Sequence, residues 1–282
     1  MSCEILRTCT ALFSITAALS LATGSLAGSH AAAQQPPRQA PKAPREAAPI
    51  DLTGNWVSVV TEDWRWRMVT PRKGDYSSMP LTEEGRKVAD TWDLAKDAAS
   101  GNQCRAFGVA AIMRMPGRLR ISWENDTTLR IDADAGTQTR LLQFGESQKP
   151  AADPTWQGHS VAAWETRATG GPGGGGDGGG QANAGGGQAP EVPQQGGSLK
   201  VVTTHMRPGY LRKNGVPYSE NALVTEYFDR HAAYSAEWFT VTTIVEDPRY
   251  LNQPFITSSH FKREPDGSKW NPTPCEIAPP AK

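Results

Sequence analysis

Between residues 119 and 144 the chain alternates apolar and polar side chains through three consecutive runs. Leu119, Ile121 and Trp123 alternate with Arg120, Ser122 and Glu124; Asn125-Asp126 turns the chain; Leu129, Ile131 and Ala133 then alternate with Arg130, Asp132 and Asp134. Gly136 turns it again into a third run ending at Phe144. A period of two broken by Asn, Asp and Gly predicts half-buried antiparallel strands joined by tight turns. Further runs at 54–60, 159–165, 198–204, 221–230, 238–246 and 254–262 bring the count to eight or nine short strands. About 200 residues remain once low-complexity stretches are set aside, which suits one all-β domain, a single antiparallel up-and-down β-barrel of lipocalin-like form, over residues 51–275. One helix is expected within 82–98, with Thr82 as its cap, Glu83 and Glu84 in its first turn, and Val88, Trp92 and Ala95 at helical spacing.

The segments outside the strands say where the protein works. Residues 1–33 carry Arg7, a mostly apolar run and Ala31-Ala32-Ala33, the layout of a cleavable secretory signal. Gly24, Ser25, Gly28 and Ser29 interrupt the run before it reaches the roughly 20 apolar residues of a membrane span. Export to the periplasm or beyond follows, with no membrane span. Residues 34–50, rich in Pro, Ala and Gln, read as a disordered stalk, and 276–282 as a tail. The whole chain has 29 basic and 29 acidic residues, so no charge excess recruits nucleic acid. Cys3 and Cys9 leave with the signal, and in an exported chain the remaining Cys104 and Cys275 are expected to form a disulfide. Neither has the spacing of a zinc or redox site, and nothing calls for a metal or a cofactor.

Residues 168–197 are a glycine-rich tract, with glycine at 12 of the 18 positions from 170 to 187. Both flanks read as strands, so the tract is expected to be the inflated turn of one hairpin, which loop-closure entropy tolerates cheaply. It lacks the spacing and following helix of a phosphate loop.

Two resemblances carry further expectations. Gly54-Asn55-Trp56 resembles the Gly-x-Trp signature of the lipocalins, where the Trp closes the barrel floor beneath an Arg of the last strand; Arg263, just after the last run, is the candidate for that partner. The elements Trp156-x-Gly158-His159-Ser160-Val161-x-x-Trp164-Glu165, Ser219-x-x-Ala222-Leu223-x-x-x-Glu226-Tyr227 and Glu246-Asp247-Pro248 resemble a family of exported bacterial proteins of unknown function. That resemblance implies a shared fold and carries no reaction.

Four histidines survive maturation: His159, His205, His231 and His260. His159 shares a strand face with Val161 and Ala163, and His205 with Leu199, Val201 and Thr203. If those apolar faces line the lumen, both imidazoles enter it. Glu226 shares a face with Val224 and Phe228. It is either paired with a buried arginine or a carboxylate of raised pKa serving as acid or base. Trp64-Arg65-Trp66-Arg67, taken as a strand, places both Trp on one face and both Arg on the other. Arg65 and Arg67 then pack outward or line a mouth suited to a carboxylate. Tyr210 and Tyr218 sit on an irregular stretch that is able to cover the same mouth. Gly158-His159-Ser160 lacks the strand–turn–helix elbow of a hydrolase nucleophile.

Three functions fit these residues. The first is an exported barrel binding a small apolar or aromatic ligand, with or without a carboxylate. The second is a cofactor-independent isomerase, cyclase or lyase using Glu226 with His159 or His205. The third is a structural envelope protein. The sequence leaves the oligomeric state open.

Overall fold

The computed structural model describes residues 41–145, 149–166 and 197–280. The signal segment, the first part of the expected stalk, and residues 167–196 lie outside the described residues. Nine strands close into one barrel: β1 (Gly54–Val59), β2 (Arg118–Asn125), β3 (Thr128–Ala133), β4 (Gln138–Phe144), β5 (His159–Thr166), β6 (Gly197–Thr204), β9 (Leu223–Ala233), β10 (Ala236–Glu246) and β11 (Phe255–Glu264). A separate two-stranded ribbon, β7 (Gly209–Tyr210) with β8 (Pro217–Tyr218), fills the stretch expected to be irregular. Neighbours in the barrel follow chain order, and β11 closes on β1.

The expected barrel is present, with one departure from antiparallel pairing. Strands in a ring can alternate direction throughout only if their number is even. With nine, at least one neighbouring pair runs parallel, and here that pair is β4 and β5, where Leu142, Gln143 and Phe144 face Ser160, Val161 and Ala162. Residues 149–158 form a return segment along the outside of β4, and β5 then starts in the direction of β4. The hairpin expected around the glycine-rich tract is formed up to its last pair, Thr166 opposite Gly197.

Inward positions of the strands fill the lumen. Phe239 stacks on Phe261 at 4.7 Å between ring centroids, meets Trp56 edge-on at 4.8 Å and lies 6.1 Å from Phe228. Leu129, Ile131, Leu142, Leu199, Val201 and Val241 join the same buried cluster. Nine strands enclose a lumen of the width that side chains can fill. Trp56 also donates its indole N–H to the Leu52 carbonyl at 2.9 Å, and Arg263 lies 5.5 Å from its ring, the contact expected from the sequence.

The helices of the described residues gather at the barrel end where β1 stops and β2 begins. They are α1 (Trp64–Arg67), α2 (Glu83–Ala89), α3 (Leu94–Ala99), a 3-10 turn (Gln103–Phe107) and α4 (Val109–Ile112). The single helix expected over 82–98 is therefore two. Thr82 caps the first, as expected, but Asp93 caps a second by accepting from the Ala95 and Lys96 amides. Residues 90–93 break between them so that Trp92 turns into the core. Gly85 belongs in α2 because a Cβ there would come within 2.6 Å of the Tyr250 carbonyl.

Two other expectations are corrected. Residues 64–67 form a helical turn, not a strand, so Trp64 is exposed while Arg67 is buried. Residues 41–50, expected as stalk, lie on the opposite barrel end. Trp164 donates to the Pro44 carbonyl at 2.7 Å, and Ile50 packs against the core. Cys104 and Cys275 are joined, 171 residues apart in sequence, tying the C-terminal segment to the 3-10 turn. Among the described residues no helix is long and apolar enough to cross a membrane.

Candidate functional site

The parallel seam creates a site on the outside of the barrel. On β4, Arg140, Leu142 and Phe144 point inward, and Thr139, Leu141 and Gln143 point outward. On β5, Ser160 and Ala162 are buried while Val161 and Ala163 are exposed, which puts His159 on the outer face. The return segment then folds across these outward side chains, contributing Lys149, Asp153, Thr155 and Gln157. His205, just past β6, closes the remaining side of a cleft of about 370 Å³.

Backbone geometry holds this wall in place. Thr155 bridges to Met206, its carbonyl accepts from the Arg207 amide at 2.9 Å, and its hydroxyl accepts from the Gly158 amide at 2.9 Å. Gly158 has φ +63°, and a Cβ there would sit 2.5 Å from the Thr204 carbonyl oxygen, so only glycine fits the corner. His205 itself adopts φ +56°, a left-handed conformation uncommon for a side-chain-bearing residue. That turn ends β6 and takes His205 off the inward face it would occupy in a continuing strand. Non-glycine residues held there cluster at functional sites.

The hydrogen bonding of the cleft is incomplete. Gln157 donates its amide to the Phe107 carbonyl at 2.8 Å and to Gln138 at 3.0 Å, leaving its own Oε1 without a donor. Gln143 Oε1 and His205 Nε2 are likewise buried and unanswered. Buried polar atoms are normally satisfied, and three unanswered ones lie around this one cleft. The two amide oxygens ask for donors, and an imidazole nitrogen answers either role by tautomer.

The expected site residues separate into several places. His159 and His205 do share one cavity, but it is the external cleft, not the lumen. Glu226 is wholly buried inside the barrel, where Arg140 of β4 grips both of its carboxylate oxygens, with Nη1 3.1 Å from Oε1 and Nη2 closing on Oε2. Of the two readings given to Glu226, the structure displays the arginine pair. Glu226 is not paired with His159 or His205, because the barrel wall stands between them; the histidine that meets a glutamate is His260, 3.2 Å from Glu62. His231 is exposed on β9, and His260 bonds Thr240 at 2.9 Å on the outer face.

Tyr210 and Tyr218 form no lid. Tyr210 donates to Asp97 at 2.8 Å and accepts from Arg105 at 3.1 Å; burial first, then the Asp97 bond, pushes its pKa up to about 12. Tyr218 is buried against Gly108 and Gly209, and desolvation raises its pKa strongly. The Tyr218 ring packs inward in the room that Gly108 and Gly209 leave for it. Arg65 pairs with Asp75 at 2.9 Å on the surface. Arg67 lies inside with its Nε donating to the Arg114 carbonyl at 2.9 Å, and Trp66 stacks under Arg212 at 4.5 Å.

The sequence reading missed Gln143 and Gln157, although the outward alternation of Thr139, Leu141 and Gln143 was available. It also missed Arg140 as the partner of Glu226. The chain matches no family model, no curated protein and no solved structure. Among the described residues no group of three or more His, Cys, Asp or Glu is placed to hold a metal.

Proposed function

We propose that this protein is an exported binding barrel that takes a small hydroxylated molecule in the cleft at the β4–β5 seam. The observation that carries the reading is the set of three buried, unanswered atoms, Gln143 Oε1, Gln157 Oε1 and His205 Nε2, around one cavity. The cleft's volume falls within the roughly 300–1,000 Å³ of small-molecule sites. Hydroxyl groups supply the donors the two amide oxygens lack, and Leu141 offers an apolar contact beside them. An apolar ligand in the lumen is less well supported, since aromatic side chains occupy that space. The disulfide fits an oxidising compartment, and with the secretory layout of residues 1–33 it supports a periplasmic or secreted location. The Gly54-Asn55-Trp56 start of β1, with Arg263 over the indole, supports a lipocalin-like reading of the barrel floor.

A thermal-shift screen of sugars, polyols and hydroxylated aromatics against the mature protein tests the assignment. A hit is expected whose stabilisation is lost in Gln143→Leu and His205→Ala, neither of which removes a hydrogen bond made within the protein, while the unliganded melting temperature changes little. A hit with equal affinity for both variants would place the ligand elsewhere.

A further inference from the structure

A second set of unanswered atoms lies at the helical end of the barrel, outside the cleft. Arg67, Arg114, Arg212 and Lys213 converge with Trp66, Met115 and Leu211 around a crevice of about 20 Å³, room for one compact group. The three guanidinium side chains are almost wholly buried, at 2%, 6% and 4% exposure. Each has part of its hydrogen bonding met. Arg67 Nε donates to the Arg114 carbonyl at 2.9 Å, Arg114 Nη2 to Asp63 at 2.9 Å, and Arg212 Nη1 to the Ser77 carbonyl at 2.7 Å. Lys213 Nζ donates to the Arg67 carbonyl at 2.8 Å.

What remains is a surplus of donors. Arg67 Nη1 and Nη2, Arg114 Nη1 and Arg212 Nε are buried with no acceptor. Glu62 Oε1, itself buried and unanswered, pairs with Arg67 as a charge but at 3.6 Å from Nη1 is too distant for a hydrogen bond, so donors outnumber it four to one. Counting Arg65 with its partner Asp75, five cations (Arg65, Arg67, Arg114, Arg212, Lys213) stand beside three acids (Glu62, Asp63, Asp75), an excess of two positive charges. Burial lowers the pKa of Arg67, Arg212 and Lys213, and brings Arg114 down to about 10, the mark of cations short of counter-charge. Buried charges are ordinarily paired, and forked guanidinium donors match the oxygens of a phosphoryl group.

We propose that Arg67, Arg114, Arg212 and Lys213 form a binding site for one phosphoryl group. A dianionic phosphate balances the two excess charges and supplies oxygens for the four unanswered donors. The group is carried either by a free phosphate compound or by a phospholipid headgroup. The second source is raised by Trp64, Met68 and Val69, which flank Arg67 in sequence and expose 66%, 56% and 47% of their surface.

Isothermal titration with inorganic phosphate, at ionic strength fixed with sodium chloride, reads the site directly. Saturable one-to-one binding is expected, weakened about tenfold or more in Arg212→Lys. Lys213→Gln serves as a second variant at a less enclosed position should Arg212→Lys fail to fold, with near-ultraviolet circular dichroism reporting folding. Co-sedimentation with vesicles containing phosphatidic acid, whose phosphomonoester can carry two negative charges, competed by inorganic phosphate, separates the sources. Competed sedimentation means a lipid-borne group, and phosphate binding without sedimentation means a free one. No saturable phosphate binding by the wild-type protein, or undiminished binding by a folded variant, overturns the site.

Discussion

Arg140 and Glu226 show how a polar pair survives in a lumen otherwise built of Phe, Leu and Val. Each satisfies the other's charge, and neither reaches solvent. Removing one partner leaves an uncompensated buried charge, whereas replacing both with apolar residues removes two desolvation penalties together. Glu226→Ala is therefore expected to cost about 3–5 kcal/mol in denaturant unfolding, and Arg140→Met with Glu226→Leu to be neutral or stabilising. If the single change cost under about 1 kcal/mol, the pair would not be the closed, dry contact described. Tyr210 gives a second expectation at this scale. Its folded pKa, about 12, lies above the ordinary tyrosine value, so its contribution is complete below pH 10 and lost as pH rises toward 12. Unfolding midpoints should fall over that window, less steeply in Tyr210→Phe. Glu226 was legible as a buried carboxylate, but its partner was not, because Arg140 lies 86 residues away and only barrel closure makes them neighbours.

At the scale of elements, the strands were readable because burial on one face writes period two into the chain. Their faces were less readable. β5 places Ser160 and Ala162 inward and Val161 and Ala163 outward, so small apolar side chains lie on both faces, and His159 was turned to the wrong side of the wall. The Trp-Arg alternation at 64–67 imitated a strand, yet Asp63 starts a helical turn there with φ 53°. The parallel seam follows from an odd strand count, which no local pattern reveals. The β5–β6 hairpin carries its own prediction. Replacing residues 167–196 with Asn-Gly shortens the connection between paired Thr166 and Gly197, so stability should hold or rise by up to about 2 kcal/mol. A marked drop in melting temperature would mean that the tract contributes contacts to the barrel.

For the whole molecule, the disulfide and the packed lumen make one frame. The Cys104–Cys275 bond closes a loop of 171 residues, and Cys104→Ser with Cys275→Ser should lower unfolding free energy by about 3–5 kcal/mol in the chain-entropy model. A double variant as stable as the wild type in urea would show that the helical end holds the C-terminal segment unaided. On the proposed reading the lumen is structural and small molecules meet the protein at the seam. Nuclear magnetic resonance on protein labelled at histidine rings and at Leu and Val methyls tests it most directly, using the best hit of the hydroxylated panel. The account predicts saturating shifts at His159 and His205 with the Leu199, Val201 and Val241 methyls unmoved. Shifts concentrated at those lumen methyls, with the two imidazoles silent, would contradict it.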